Sequence, residues 1–91
     1  MESMNVKIKI MPSSPETNLE ELKDDVKTLI ESNSGKNIRF EEEPIAFGLK
    51  AVIVTFIWPE EKELNSLEES IEKMKNVASE KIIDMRRAIG E

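Results

Sequence analysis

Between Val6 and Ile10 apolar and basic residues alternate strictly, with Lys7 and Lys9 separating Val6, Ile8 and Ile10. A period of two is that of a strand with one buried face, because successive side chains leave a pleated backbone on opposite sides. Met11-Pro12-Ser13-Ser14-Pro15 closes this first strand, since proline has no N–H to give to a ladder. The period then changes. Leu19, Leu22, Val26, Leu29 and Ile30 fall on one helical stripe. Asn18 or Thr17 is in place to cap that helix, and Asn33 to Gly35 to end it.

Alternation returns from Asn37 to Glu43, where Ile38 and Phe40 are set against Arg39 and Glu41, and Pro44 closes this second strand. Gly48 to Trp58 is nearly continuously apolar and rich in β-branched residues, which predicts a central strand. Pro59-Glu60-Glu61 reads as the acidic first turn of a second helix, with Leu64, Leu67, Ile71 and Met74 as its stripe and Asn76 as its C-terminal cap. Ile82, Ile83, Met85 and Ile89 fit a helix as well as a strand; Glu80 to Arg86 is read as the last strand. The order βαββαβ predicts an α+β, ferredoxin-like sandwich, a four-stranded antiparallel sheet with two helices on one face and the first and third strands central. Val6, Ile8, Leu22, Val26, Leu29, Leu67 and Ile71 are the expected core.

Length and composition narrow the function. Ninety-one residues close one hydrophobic core, so residues 1–91 are expected to form a single domain. No apolar run approaches the roughly 20 residues that span a bilayer, and the N-terminus lacks the layout of a signal peptide, so a cytoplasmic chain with no membrane partner is expected. Cysteine and histidine are absent, which removes thiolate and imidazole chemistry and ordinary zinc sites. The formal net charge of -6 disfavours direct nucleic-acid binding and favours a basic protein surface as partner. Glu41-Glu42-Glu43 and Glu60-Glu61 read as solvated acidic runs, since a hard cation needs converging oxygens, and no metal site is expected. Gly35, Gly48 and Gly90 are isolated, so no phosphate-cradling loop or dinucleotide fingerprint exists and no cofactor is expected.

Two segments remain. Pro44-Ile45-Ala46-Phe47-Gly48 places two large apolar side chains in a connection, where turn chemistry and polar groups are usual. Either Ile45 and Phe47 fold back onto the core, or they offer an apolar knob to a partner, since aromatic anchors dominate many interfaces. Asp84-Met85-Arg86-Arg87 carries the paired arginines of an acidic chain, ordinary surface cations or part of a binding site.

Met11-Pro12 with Pro15, the run Glu42-Glu43-Pro44-Ile45-Ala46-Phe47-Gly48-Leu49-Lys50, and Asp84-Met85-Arg86-Arg87 together resemble archaeal elongation factor 1-beta, with compatible spacing from Val6 to Arg87. The resemblance implies the same ferredoxin-like fold and a guanine nucleotide exchange factor that acts on elongation factor 1-alpha, without substrate chemistry of its own. It also implies partner-binding roles for Pro44, Ile45, Phe47, Gly48, Lys50, Arg86 and Arg87. In eukaryotic relatives the matching phenylalanine enters a pocket of the GTPase, and a lysine near the C-terminus disturbs the magnesium and phosphate site. Arg87 falls where that lysine would lie, as a planar fork instead of a point charge. The chain departs from the family in Asn76-Val77 where Gly-Val is frequent, in a short Trp58-Pro59 turn, and in the added tail Gly90-Glu91.

The alternative is a ferredoxin-like regulatory domain that binds a small molecule against its sheet or at a dimer interface. An RNA-binding domain of this topology would want sheet aromatics and a basic surface. A small acyl-phosphate hydrolase would want an arginine-rich phosphate loop, which the sequence lacks.

Overall fold

The computed structural model describes residues 3–88, so the expected tail Gly90-Glu91 lies outside the described residues. The element order is β1 (Ser3–Pro12), α1 (Leu19–Ser32), β2 (Lys36–Pro44), β3 (Lys50–Pro59), α2 (Leu64–Glu72) and β4 (Val77–Ala88). The strands form one sheet in the order β2-β3-β1-β4, every neighbouring pair antiparallel. This is the ferredoxin-like α+β fold, with β1 and β3 in the centre as their apolar content requires.

Register explains which residues are buried. Val6 pairs with Phe56, Ile8 with Val54 and Ile10 with Val52, and all six are fully buried. Leu22, Val26 and Ile30 of α1 and Leu67 and Ile71 of α2 join them in one cluster. Leu29, expected in this core, is only partly buried, and Ile30 takes the place, because the fully buried stripe of α1 runs at i, i+4 and i+8 from Leu22. Trp58 meets Phe56 edge-on, ring centroids 5.9 Å apart at 80°. The aromatic rings of the strands therefore lie on the helix side.

The ends of α1 are built from local chemistry. The Asn18 side chain accepts the Glu21 N–H at 3.1 Å, and Glu20 and Glu21 place acid at the positive end of the helix dipole. At the other end Ser34 adopts φ 73; its N–H donates to Glu31 O at 3.1 Å and the Gly35 N–H donates to Ile30 O at 2.9 Å. This is a Schellman closure in which serine takes the left-handed residue and glycine follows it. Glycine is needed there for space, because a Cβ on Gly35 would collide with Cγ2 of Ile30.

Two expectations about α2 are corrected. Pro59-Glu60-Glu61 is not its first turn: Pro59 still pairs with Ser3, the Lys62 N–H donates to Pro59 O at 3.1 Å, and Trp58 Nε1 donates to Lys62 O at 3.1 Å. These bonds hold a separate turn, and the helix begins only after Glu63. Asn76 is not its cap either. Lys73 occupies that position, and successive turns from Met74 N to Ile71 O and from Val77 N to Met74 O lead into β4. The Asn76 carbonyl instead accepts the Ser13 N–H at 3.1 Å, tying the end of β1 to the approach to β4. The last strand is longer than Glu80 to Arg86, running Val77–Ala88. Register jumps from Lys7↔Asp84 to Ile8↔Ile82, leaving Ile83 as an extra residue in a bulge.

Candidate functional site

The segment that offered two readings is the tip of the β2–β3 hairpin. Pro44 and Lys50 form its last ladder pair. The Ile45 N–H donates to Leu49 O at 2.7 Å and the Leu49 N–H to Ala46 O at 3.2 Å, so Leu49 faces two residues, the count of a β-bulge. Phe47 and Gly48 occupy the centre of the turn with φ 62 and φ 78. Positive φ at both central positions is the mark of the hairpin turn that matches strand twist, usually made by Asn-Gly.

Gly48 suits that turn; Phe47 does not. A left-handed backbone costs a residue with a Cβ about 1–2 kcal/mol, more than the asparagine usual there would incur. The ring is 94% exposed and packs on nothing in the core, while Ile45 is half-buried. The folded-back reading of Phe47 is thus excluded by the turn itself, whose outward bend carries the side chain away from the sheet.

Side chains that no local pattern reveals brace the hairpin. Lys23 of α1 bonds Glu42 at 2.8 Å and Glu20 at 3.3 Å, and Lys9 of β1 bonds Glu43 at 3.0 Å. The hydrogen bond from Lys23 holds the Glu42 carboxyl below its usual range, with the charge of Lys50 adding to that, and Glu42 raises the Lys23 ammonium in turn. Such exposed pairs add little to stability, because water and salt screen them. Their effect is positional, since they fix the edge strand just before the turn. Pro15 lies nearby, 3.9 Å from where a Cβ on Gly48 would stand, so the β1–α1 loop flanks the hairpin.

Arg86 and Arg87 are elsewhere. Arg86 pairs with Asn5 on the open face of the sheet and Arg87 with Met4 on the helix face. The Arg86 Nε lies 3.2 Å from an Asp84 oxygen, and an Arg87 Nη2 lies 3.6 Å from Glu60. The hairpin stands at the Pro12 end of β1 on one edge of the sheet, and the arginines at the Ser3 end on the other edge. Trp58 stands eight residue steps along β3 from Lys50, about 26 Å of strand. The structure therefore does not bring Phe47 and Arg87 into one site; it sets them at diagonal corners.

Glu80, on the helix side of β4 opposite Ile10, forms a third titratable group with Glu68 and Glu72 of α2. Its Oε1 is buried and accepts no hydrogen bond; the group within reach is the Glu68 carboxyl. Burial pushes the Glu80 carboxyl up to about 7, with Glu68 and Glu72 acting in the same direction. Because the folded pKa lies above the ordinary 4.5, the stabilising contribution is complete below that value and is lost as pH rises through about 7. The unfolding midpoint is expected to fall as pH rises from about 4.5 to about 7 and to level off above that, and Glu80→Gln to remove that fall. A parent midpoint that is flat across this interval contradicts the assignment. No three acidic side chains among the described residues are arranged to hold a metal ion.

Comparison with known proteins places these features. The family model described as EF-1 guanine nucleotide exchange domain matches residues 5–88. Elongation factor 1-beta of Methanococcus maripaludis (strain C5) is 38% identical over 87 residues, covering 93% of this chain and 97% of the relative. The protein of the same name from Methanosarcina barkeri is 42% identical over 88 residues, covering 96% and 99%. Among solved structures, the P2 domain of the chemotaxis kinase CheA from Thermotoga maritima aligns with TM-score 0.64 at 12% identity, covering 94% of this chain and 99% of that one. The ACT domain of GTP pyrophosphokinase from Chlorobium tepidum aligns with TM-score 0.62 at 15% identity, covering 89% and 99%. Likeness at such identity shows the fold alone and lends no support to a small-molecule regulatory role.

Proposed function

Since this chain belongs to the family of EF-1 guanine nucleotide exchange domains, we propose that it promotes exchange of GDP for GTP on elongation factor 1-alpha, with Phe47 as its principal anchor. The observation that carries the reading is the Phe47 ring, 94% exposed on a turn whose backbone favours other residues. An exposed aromatic in a locally costly conformation is explained by a pocket on another protein, because burial of such a ring commonly dominates an interface.

The exchange step needs no acid, base or nucleophile from this chain. Nucleotide release is accelerated when the factor binds the nucleotide-free GTPase more tightly than the GDP-bound form, the two affinities being linked around one cycle. Phe47, with Pro44, Ile45, Gly48 and Lys50 around it, forms one contact. Arg86 and Arg87 form a second at the opposite corner. A guanidinium brought to the magnesium and phosphate site competes for charge there and weakens the hold on the nucleotide. The sheet acts as a rigid spacer between the two contacts, about 26 Å along the strands with the width of the sheet in addition, so tight docking at the hairpin orients the arginines. In the free protein Glu60 lies 3.6 Å from the exposed Arg87, and docking would exchange that pairing for one with the partner.

Release of labelled GDP from elongation factor 1-alpha, with and without substoichiometric chain, tests the proposal. Acceleration by less than one equivalent is the expected result. A release rate unchanged at any concentration of the folded chain overturns it.

A further inference from the structure

We propose that the open face of the sheet, opposite the helices, binds an extended acidic peptide segment of another protein, with Lys7 and Arg39 as the charged contacts. Lys7, Thr55 and Arg39 stand side by side on β1, β3 and β2, as the register Lys7↔Thr55 and Arg39↔Thr55 shows. All three line an open concavity of about 640 Å³ together with Asn5 and Arg86, and with the carboxylates Glu41 and Asp84, the latter paired with Arg86. A second concavity of about 460 Å³ shares Asn5 and Arg39 with it and adds Ile57, so the two make one trough.

Charge on this face runs against that of the chain. Lys9 is bonded to Glu43 and Arg86 to Asp84. Among the described residues of this face that make no ion pair, Lys7, Arg39 and Lys81 stand against Glu41, in a chain of net charge -6. Lys9 and Lys81 are direct cross-strand partners, and like charges so placed destabilise a sheet. The Glu43 carboxylate 3.0 Å from Lys9 offsets part of that repulsion, and an anionic partner would offset the rest.

The floor selects the kind of anion. Two central-strand spacings put Lys7 and Arg39 about 10 Å apart, within reach of one oxyanion held over the Thr55 hydroxyl. Ile53 and Ile57 flank Thr55 on the same face of β3; Ile57 is buried, and the half-buried Ile53 offers apolar contact beside the hydroxyl. Carboxylates alternating with apolar side chains on an extended peptide match this pattern. A nucleic acid matches it poorly, because Phe40, Phe56 and Trp58 all face the helices and leave no ring here on which bases could stack.

The test is fluorescence anisotropy of a labelled peptide alternating glutamate and leucine, with a labelled single-stranded RNA and inorganic phosphate as competitors. Peptide binding at low salt is expected, weakening as salt rises. The double variant Lys7→Glu with Arg39→Glu should bind at least about tenfold more weakly. Lys27→Glu with Lys75→Glu, the same charge change at exposed positions of the helix layer, should retain binding. If the charge-reversed protein does not fold, Lys7→Gln with Arg39→Gln replaces it and should show the same direction of loss. Absence of peptide binding, equal losses in the open-face and helix-layer variants, or displacement of the peptide by RNA or phosphate at comparable concentration would each overturn the proposal. Phe47→Ala should leave peptide binding intact, so failure here is distinguishable from failure of the exchange reading, with which this face shares Arg86.

Discussion

Phe47→Ala is expected to lower stimulated GDP release roughly 30-fold, the equivalent of an aromatic anchor worth about 2 kcal/mol, and to leave the unfolding midpoint nearly unchanged. The ring lies outside the core, so its removal opens no cavity. Phe47→Asn sharpens the comparison. Asparagine tolerates the left-handed conformation that Phe47 holds at φ 62, so this variant should fold as stably as the parent or slightly more so while losing the same activity. Opposite movement of stability and exchange in one substitution separates a binding residue from a structural one. Parent-like exchange by both variants would remove Phe47 from the interface.

Phe56→Ala is expected to have the largest effect on folding, about 3–5 kcal/mol. Phe56 is fully buried opposite Val6, and its loss also removes the edge-on contact with Trp58. Against a total stability of about 5–15 kcal/mol for a domain of this kind, that loss leaves the folded state marginal. Chemical denaturation should show a greatly lowered midpoint, and exchange should fall with the folded fraction, returning when the temperature is lowered. A midpoint within about 1 kcal/mol of the parent would mean that the core repacks around the gap.

Strands β1 and β2 were legible because each carries its own period, whereas Ile82, Ile83 and Met85 of β4 fit a helix as well as a strand. Val6-Lys7-Ile8-Lys9-Ile10 states which face is buried without reference to anything else, and the nearly continuous apolar run of β3, interrupted by Thr55, states that it is a central strand flanked on both sides. The start of α2 was not legible. An acidic stretch after proline looks like a first helical turn, and only the Trp58 indole, reaching forward to Lys62 O, turns it into something else. Leu29 and Ile30 are adjacent on one stripe, and which is buried depends on the angle at which α1 crosses the sheet. The site was half legible for the same reason. Phe47 could be singled out from its neighbours, but its exposure follows from two successive positive φ values and a bulge, and the bracing of Glu42 by Lys23 joins residues 19 positions apart. The separation of Phe47 from Arg87 needs the register of three strands.

The bulge at Ile83 bears on how this protein behaves at high concentration. β4 is an edge strand of 12 residues, with Ile83 and Met85 exposed along it. A straight edge of that length and character is the template on which a second chain adds itself and aggregation starts. The extra residue breaks the rhythm of outward amides and carbonyls in the middle of the strand, so an incoming strand can stay in step on one side of Ile83 but not across it. At the other edge, β2 carries three consecutive glutamates and ends in proline, which repel and terminate an added strand. Both margins of the sheet are thereby guarded against strand addition by different means, one by a break in register and the other by charge and proline.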